Sequence, residues 1–187
     1  MSAPRVVIKG EFAVIGKAGR ASRDSGVAWI KPLWHQAVAS FAEVGHLALR
    51  RADGTPVGVW GAMNDLDESN QPWDERGGLY MPAFESPLDA EPPPGWMKWV
   101  IPAQTYLVVS CDTNDYHDVY ARAAESLAGR IVGTIHEFYP DPGADRIDLY
   151  FPIAKGADPI SPAHPPIDPQ AGEACTPASV KEMSWPL

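Results

Sequence analysis

Apolar residues recur at Ile30, Leu33, Trp34, Ala37, Val38, Phe41 and Val44, the stripe of a helix with one buried face. Pro32 falls in the first turn, where proline is tolerated, and Gly45 predicts the stop. A second stripe, Tyr116, Val119, Tyr120, Ala123 and Leu127, predicts a helix over residues 115–129 with Asn114 as its N-cap. Between and around them run β-forming segments: 11–21, where two glycines predict a bulge, then 57–63, 79–85, 97–110 as a strand or bent strand pair, 131–139 and 146–153. In the last of these Ile147, Leu149, Phe151 and Ile153 alternate with Arg146, Asp148 and Tyr150. Pro82 requires its strand to lie at an edge or beside a bulge. The acidic stretch 64–76 reads as a loop, and 91–95, with three prolines, as a stiff linker.

Strand, helix, strand, strand therefore occurs twice, over about residues 10–90 and 96–154, which predicts an internal repeat. The order favours an α+β fold: a duplicated βαββ pseudo-dimer with an antiparallel sheet, two helices on one face and a central ligand cleft between the halves. Residues 1–154 form the expected domain. Residues 155–187 carry seven prolines after residue 154 and no apolar period, and are expected to form an extended tail.

Charge narrows the partners. The formal net charge is -9 over 187 residues, without a Lys/Arg cluster, so nucleic acid is not an expected partner. No run approaches the ~18 apolar residues of a membrane span, and the apolar run near the N-terminus is too short for a signal peptide. Cys111 and Cys175, far apart, suggest no disulfide framework. A cytoplasmic protein, monomer or homodimer, is expected. The histidines show no metal spacing, and no phosphate-cradling loop occurs, so neither metal nor cofactor is expected. Cys111 with His117 makes at most a non-specific nucleophile pair.

The candidate chemistry centres on Glu137, a carboxylate in the apolar run 133–139. Strand parity places Ile135, Glu137 and Tyr139 on one face and His136 and Phe138 on the other. Seven Trp residues are many for this length and suggest an aromatic-lined pocket. Trp60, Tyr80 and Phe84 on first-half strands, Trp34 at the helix start, and Trp96 and Trp99 beside the linker are the candidate lining. Glu85 is a second acidic candidate. A half-exposed surface strand and ordinary core aromatics are the alternatives.

Four stretches resemble the GyrI-like family, the AraC-type effector-binding domain. They are Phe12-Ala13-Val14-Ile15-Gly16, Ile30-Lys31-Pro32-Leu33-Trp34, Ile101-Pro102-Ala103-Gln104-Thr105-Tyr106 (against "I-P-A-G-x-Y") and Glu137-Phe138-Tyr139 with the run 147–153 (against "E-x-Y … I-x-I-P-I"). The likeness spans about residues 10–154. Gln104 departs from it by replacing the usual glycine, and 91–99 is longer than usual. The resemblance implies a cleft whose floor carries Glu137, with Tyr139 beside it, and a hydrophobic, cationic or polarised small-molecule ligand. It leaves three functions open: binding for sequestration or sensing, hydrolysis of cyclopropane-bearing cytotoxins through Glu137 and Tyr139, or inhibition of a protein such as gyrase.

Overall fold

The computed structural model describes residues 3–21, 28–141 and 143–156. The proline-rich tail therefore lies almost wholly outside the described residues. Among the described residues nine strands form one antiparallel sheet: β1 Arg5–Lys9, β2 Phe12–Gly16, β3 Gly19–Ala21, β4 Val59–Asn64, β5 Gly78–Ser86, β6 Met97–Ile101, β7 Gln104–Asp112, β8 His136–Tyr139 and β9 Arg146–Lys155. The helices are α1 Ile30–Ser40 and α2 Tyr116–Ser126. No helix among the described residues is long and apolar enough to cross a membrane.

The strand order is β1-β7-β9-β8-β4-β5-β2-β6, with β3 also on β5. It contains the expected duplication. β2, α1, β4 and β5 form one βαββ unit; β7, α2, β8 and β9 form the other; β4 and β8 pair at the centre. The outermost strands are exchanged. β1 precedes the first unit but pairs with β7 of the second, and β6 precedes the second but pairs with β2 of the first. Only residues 10 and 11 separate β1 from β2, although the two lie near opposite ends of the strand order. The sheet must therefore curl.

Curling gives the sheet a core on each face. On the inner face Phe12, Val14, Trp60, Trp99, Ile101, Tyr106, Val108 and Tyr150 pack together, drawn from strands at both ends of the order. On the outer face α1 covers Ile15, Val59, Tyr80 and Phe84 through Ile30, Leu33 and Trp34. α2 covers Leu107, Ile147, Leu149 and Phe151 through Val119. Tyr139 touches both helical cores, so both helices lie on one face.

Several boundaries differ from expectation. β1 was not foreseen. The run 11–21 is two strands, and their break faces Pro82, whose carbonyl accepts from the Lys17 N–H at 3.3 Å. Pro82 thus sits in an interior strand, with its missing N–H on the side where the partner strand is interrupted. α1 stops at Ser40, a short 3-10 turn carries Phe41, and Val44 lies between that turn and a second one; Val38 is exposed. A 3-10 turn over Thr113–Asp115 displaces the α2 N-cap from Asn114 to Asp115. Only the end of 131–139 pairs as a strand.

Candidate functional site: a buried carboxylate between two helices

β8 pairs with β4 so that Glu137 stands opposite Gly61. The Glu137 side chain rises on the helical face, at the seam between the two βαββ units, and the residue is 2% exposed. Three phenols bind its carboxylate. Tyr80 donates to Oε2 at 2.5 Å, Tyr139 to Oε2 at 3.2 Å and Tyr116 to Oε1 at 2.7 Å. Trp34 Nε1 in turn donates to the Tyr80 hydroxyl at 3.0 Å. The Trp34 and Tyr139 rings meet edge to face at 5.1 Å. Four elements thus converge on one acid: α1 brings Trp34, β5 Tyr80, α2 Tyr116, and β8 Glu137 with Tyr139.

Burial pushes the Glu137 carboxyl above its ordinary range, against the three phenol hydrogen bonds that act to lower it. Tyr80, Tyr116 and Tyr139 are driven well above the ordinary phenol value, first by burial and then by the Glu137 charge, so they remain donors. Tyr116 and Tyr139 are partly exposed. The cleft expected between the halves is closed over Glu137 by these side chains.

Parity holds within β8. Glu137 and Tyr139 face the helices, while Phe138 packs on the inner core and the His136 ring lies near Trp60 and Tyr106. His136 Nδ1 accepts the Met63 N–H at 3.2 Å, and burial lowers its pKa to about 3. Trp34 and Tyr80 join Glu137. Trp60 and Trp99 do not: they lie on the inner face, because register puts Gly61, not Trp60, beside the acid. Phe84 shares the helical face, but its ring packs on Phe41 at 4.4 Å, tilted by 43°, in the core that also holds Trp96. Glu85 faces inward, bound by Lys9 at 2.9 Å and by Trp60 Nε1 at 3.1 Å. Burial pushes the Cys111 thiol up to about 11, with nearby carboxylates adding to the effect, which is the reverse of what a nucleophile needs. The sequence shows Tyr116 only as part of a packing stripe; its position at the first turn of a helix docked on β7 and β9, within reach of Glu137, has no local signal.

No protein-family model matches the chain, and no curated protein does. Solved structures do resemble it. SAV2435 bound to tetraphenylphosphonium superposes with a TM-score of 0.60 at 11% identity, over 81% of this chain and 94% of that one. The C-terminal domain of EcmrR gives 0.54 at 14%, over 82% and 98%. The chain has the GyrI-like fold. The integron cassette protein VCH_CASS2, from the mobile metagenome of Vibrio cholerae, also shares it, with a TM-score of 0.54 at 15% over 80% and 95%. At these identities the likeness is one of architecture.

Proposed function

We propose that the protein binds a lipophilic cation, with Glu137 as its anionic anchor and Trp34, Tyr80, Tyr116 and Tyr139 as its aromatic surround. The observation that carries this reading is a carboxylate at 2% exposure that accepts hydrogen bonds from three phenols. Removing such a group from water disfavours its charge, and an arriving cation repays that loss. Aromatic faces add attraction of about 0.5–2 kcal/mol each. Tetraphenylphosphonium on a protein of the same fold supports the ligand class. Sequestration and sensing both use such a site.

Trp34, beside the acid, is a built-in reporter. Titration with tetraphenylphosphonium is expected to quench tryptophan emission saturably, and neutral triphenylphosphine oxide is not. Glu137→Gln is expected to weaken the cation at least tenfold. Equal affinity of wild type and variant for the cation would sink the reading.

One feature favours a second reading. A carboxyl that burial pushes above its ordinary range, beside a phenol, suits general-acid work, which contributes about 10²–10⁴-fold. Hydrolysis of a cyclopropane-bearing electrophile, abolished in a folded Glu137→Gln variant, would support an enzyme; saturable binding without turnover supports the binding protein.

A further inference from the structure

Among the described residues Trp34, Trp60, Trp96 and Trp99 are buried. Trp29 and Trp73 are only partly so, although both pack against the core under α1. Each rests on a glycine. A Cβ on Gly78 would lie 2.2 Å from Trp73 Cδ1, 2.2 Å from its Nε1 and 2.5 Å from its Cε2. Three consecutive ring atoms at such similar distances mean that the face of the indole, not its edge, covers Gly78. A Cβ on Gly19 would lie 2.6 Å from Trp29 Cζ3.

Strand register brings these glycines together. Gly19 stands opposite Tyr80 across β3 and β5, and Gly61 stands opposite Pro82 across β4 and β5. Residues 78, 80 and 82 share one face of β5, the face on which Tyr80 meets α1. Gly19, Gly61 and Gly78 therefore lie around Tyr80 and clear a trough in the sheet surface. Trp29 meets Tyr80 edge to face, with ring centres 6.4 Å apart. The trough thus runs up to the phenol that binds Glu137.

Packing alone gives a poor account of it. Glycine inside a strand loses more entropy than alanine and offers no side chain to pack. Trp73 Nε1 is buried without a hydrogen-bond partner, although such groups are nearly always satisfied. A tight turn nevertheless fixes Trp73 there. The Arg76 N–H donates to Asp74 Oδ1 at 2.8 Å and the Gly77 N–H to the Asp74 carbonyl at 3.1 Å, which leads the chain straight into β5. Local departures of this kind concentrate at functional sites.

We propose that the trough is the ring subsite of the Glu137 site and selects a cation carried on a flat, fused-ring aromatic body, an inference that rests on Glu137 as the anchor. Trp29 and Trp73 are its specificity-determining residues. A glycine floor that takes an indole face-on suits planar rings. Two partly exposed indoles offer an incoming ring the offset stacking that aromatic pairs prefer, and tryptophan attracts cations best among the aromatic side chains. Tetraphenylphosphonium, whose rings splay tetrahedrally, can lay only one of them in such a trough, whereas a fused-ring cation lays its whole plane there.

Equilibrium dialysis of the full chain against N-methylacridinium, a flat three-ring cation, and against tetraphenylphosphonium tests this without relying on indole emission. Wild type is expected to bind the flat cation at least fivefold more tightly. Trp29→Leu and Trp73→Leu are each expected to lower the ratio of the two affinities at least fivefold. Gly78→Ala, whose Cβ would lift the indole from its seat, is expected to lower it too. Trp73→Phe, which keeps a ring in the core, is expected to fall between wild type and Trp73→Leu. Glu137→Gln is expected to weaken both cations. If that variant keeps both affinities, the anchor is lost and the inference with it. If the anchor holds, the trough alone is overturned by a wild type without preference for the flat cation. It is equally overturned by an unchanged ratio in Trp73→Leu or, should that variant not fold, in Trp73→Phe and Gly78→Ala.

Discussion

The Tyr80 hydroxyl reaches Glu137 Oε2 at 2.5 Å across a whole intervening strand. Tyr80 is on β5, Glu137 on β8, and β4 runs between them. The crossing exists because β4 presents Gly61 there. A Cβ at Gly61 would lie 2.2 Å from the Tyr80 hydroxyl and 2.7 Å from Glu137 Oε2. Gly61→Ala is therefore expected to part the two side chains and destabilise the protein by about 1–3 kcal/mol. It should weaken cation binding as well. Urea unfolding midpoints and the fluorescence titration measure both, and a variant as stable as wild type would refute the steric argument.

Glu137 also sets a pH dependence. Its carboxyl is raised above the ordinary 4.5 in the folded state. A carboxyl raised on folding contributes stability that is full below the unfolded value and is lost as pH rises through the folded value. The stability difference between wild type and Glu137→Gln is expected to shrink steadily as pH rises across that window. Cation affinity runs the other way, increasing as the acid ionises. A difference that stays flat from about pH 4 to about pH 9 would contradict the shift.

The neighbouring residue carries the opposite dependence. His136 is lowered from 6.5 to about 3 by burial. A base lowered on folding contributes stability that is full above the unfolded value and is lost as pH falls through the folded one. The His136 ring is expected to stay neutral on acidification below its unfolded value, until the chain itself unfolds. Ring chemical shifts followed from neutral pH downward check this; titration near 6.5 in the folded protein would contradict it.

Lys9 and Glu85 tie the exchanged strand β1 to the first unit. Nζ lies 2.9 Å from Glu85 Oε1 and 4.2 Å from the Phe12 ring centre, and the two side chains are 23% and 12% exposed. Removing one partner leaves a mostly buried charge unmatched. Lys9→Met is expected to cost about 1–3 kcal/mol, and Glu85→Gln in the same chain to restore part of it. Additive losses in a double-mutant cycle would show that the contact contributes nothing.

Parity in the 133–139 run was enough to separate Glu137 and Tyr139 from His136 and Phe138, because it is a property of one strand. The helical stripe identified Trp34 in the same way. Register between strands has no such local trace. Whether Trp60 or Gly61 meets Glu137 depends on how β4 slides along β8, which neither strand's own pattern records. The tryptophan excess has a related explanation. A flat sheet has one helical face to fill, whereas a sheet that curls needs a second core, and Trp60 and Trp99 fill it. β1 leaves little trace in the sequence because its run is short and charged at both ends, and because it finds its partner nearly a hundred residues away.

The exchange of β1 and β6 has a consequence for how the molecule is assembled. Each βαββ unit ends in a strand whose outer hydrogen bonds are taken by the leader of the other unit, so neither is finished alone. A chain cut within residues 91–95 would yield fragments that each hold the strand the other lacks. Such fragments should be poorly folded apart and reconstitute the native sheet on mixing.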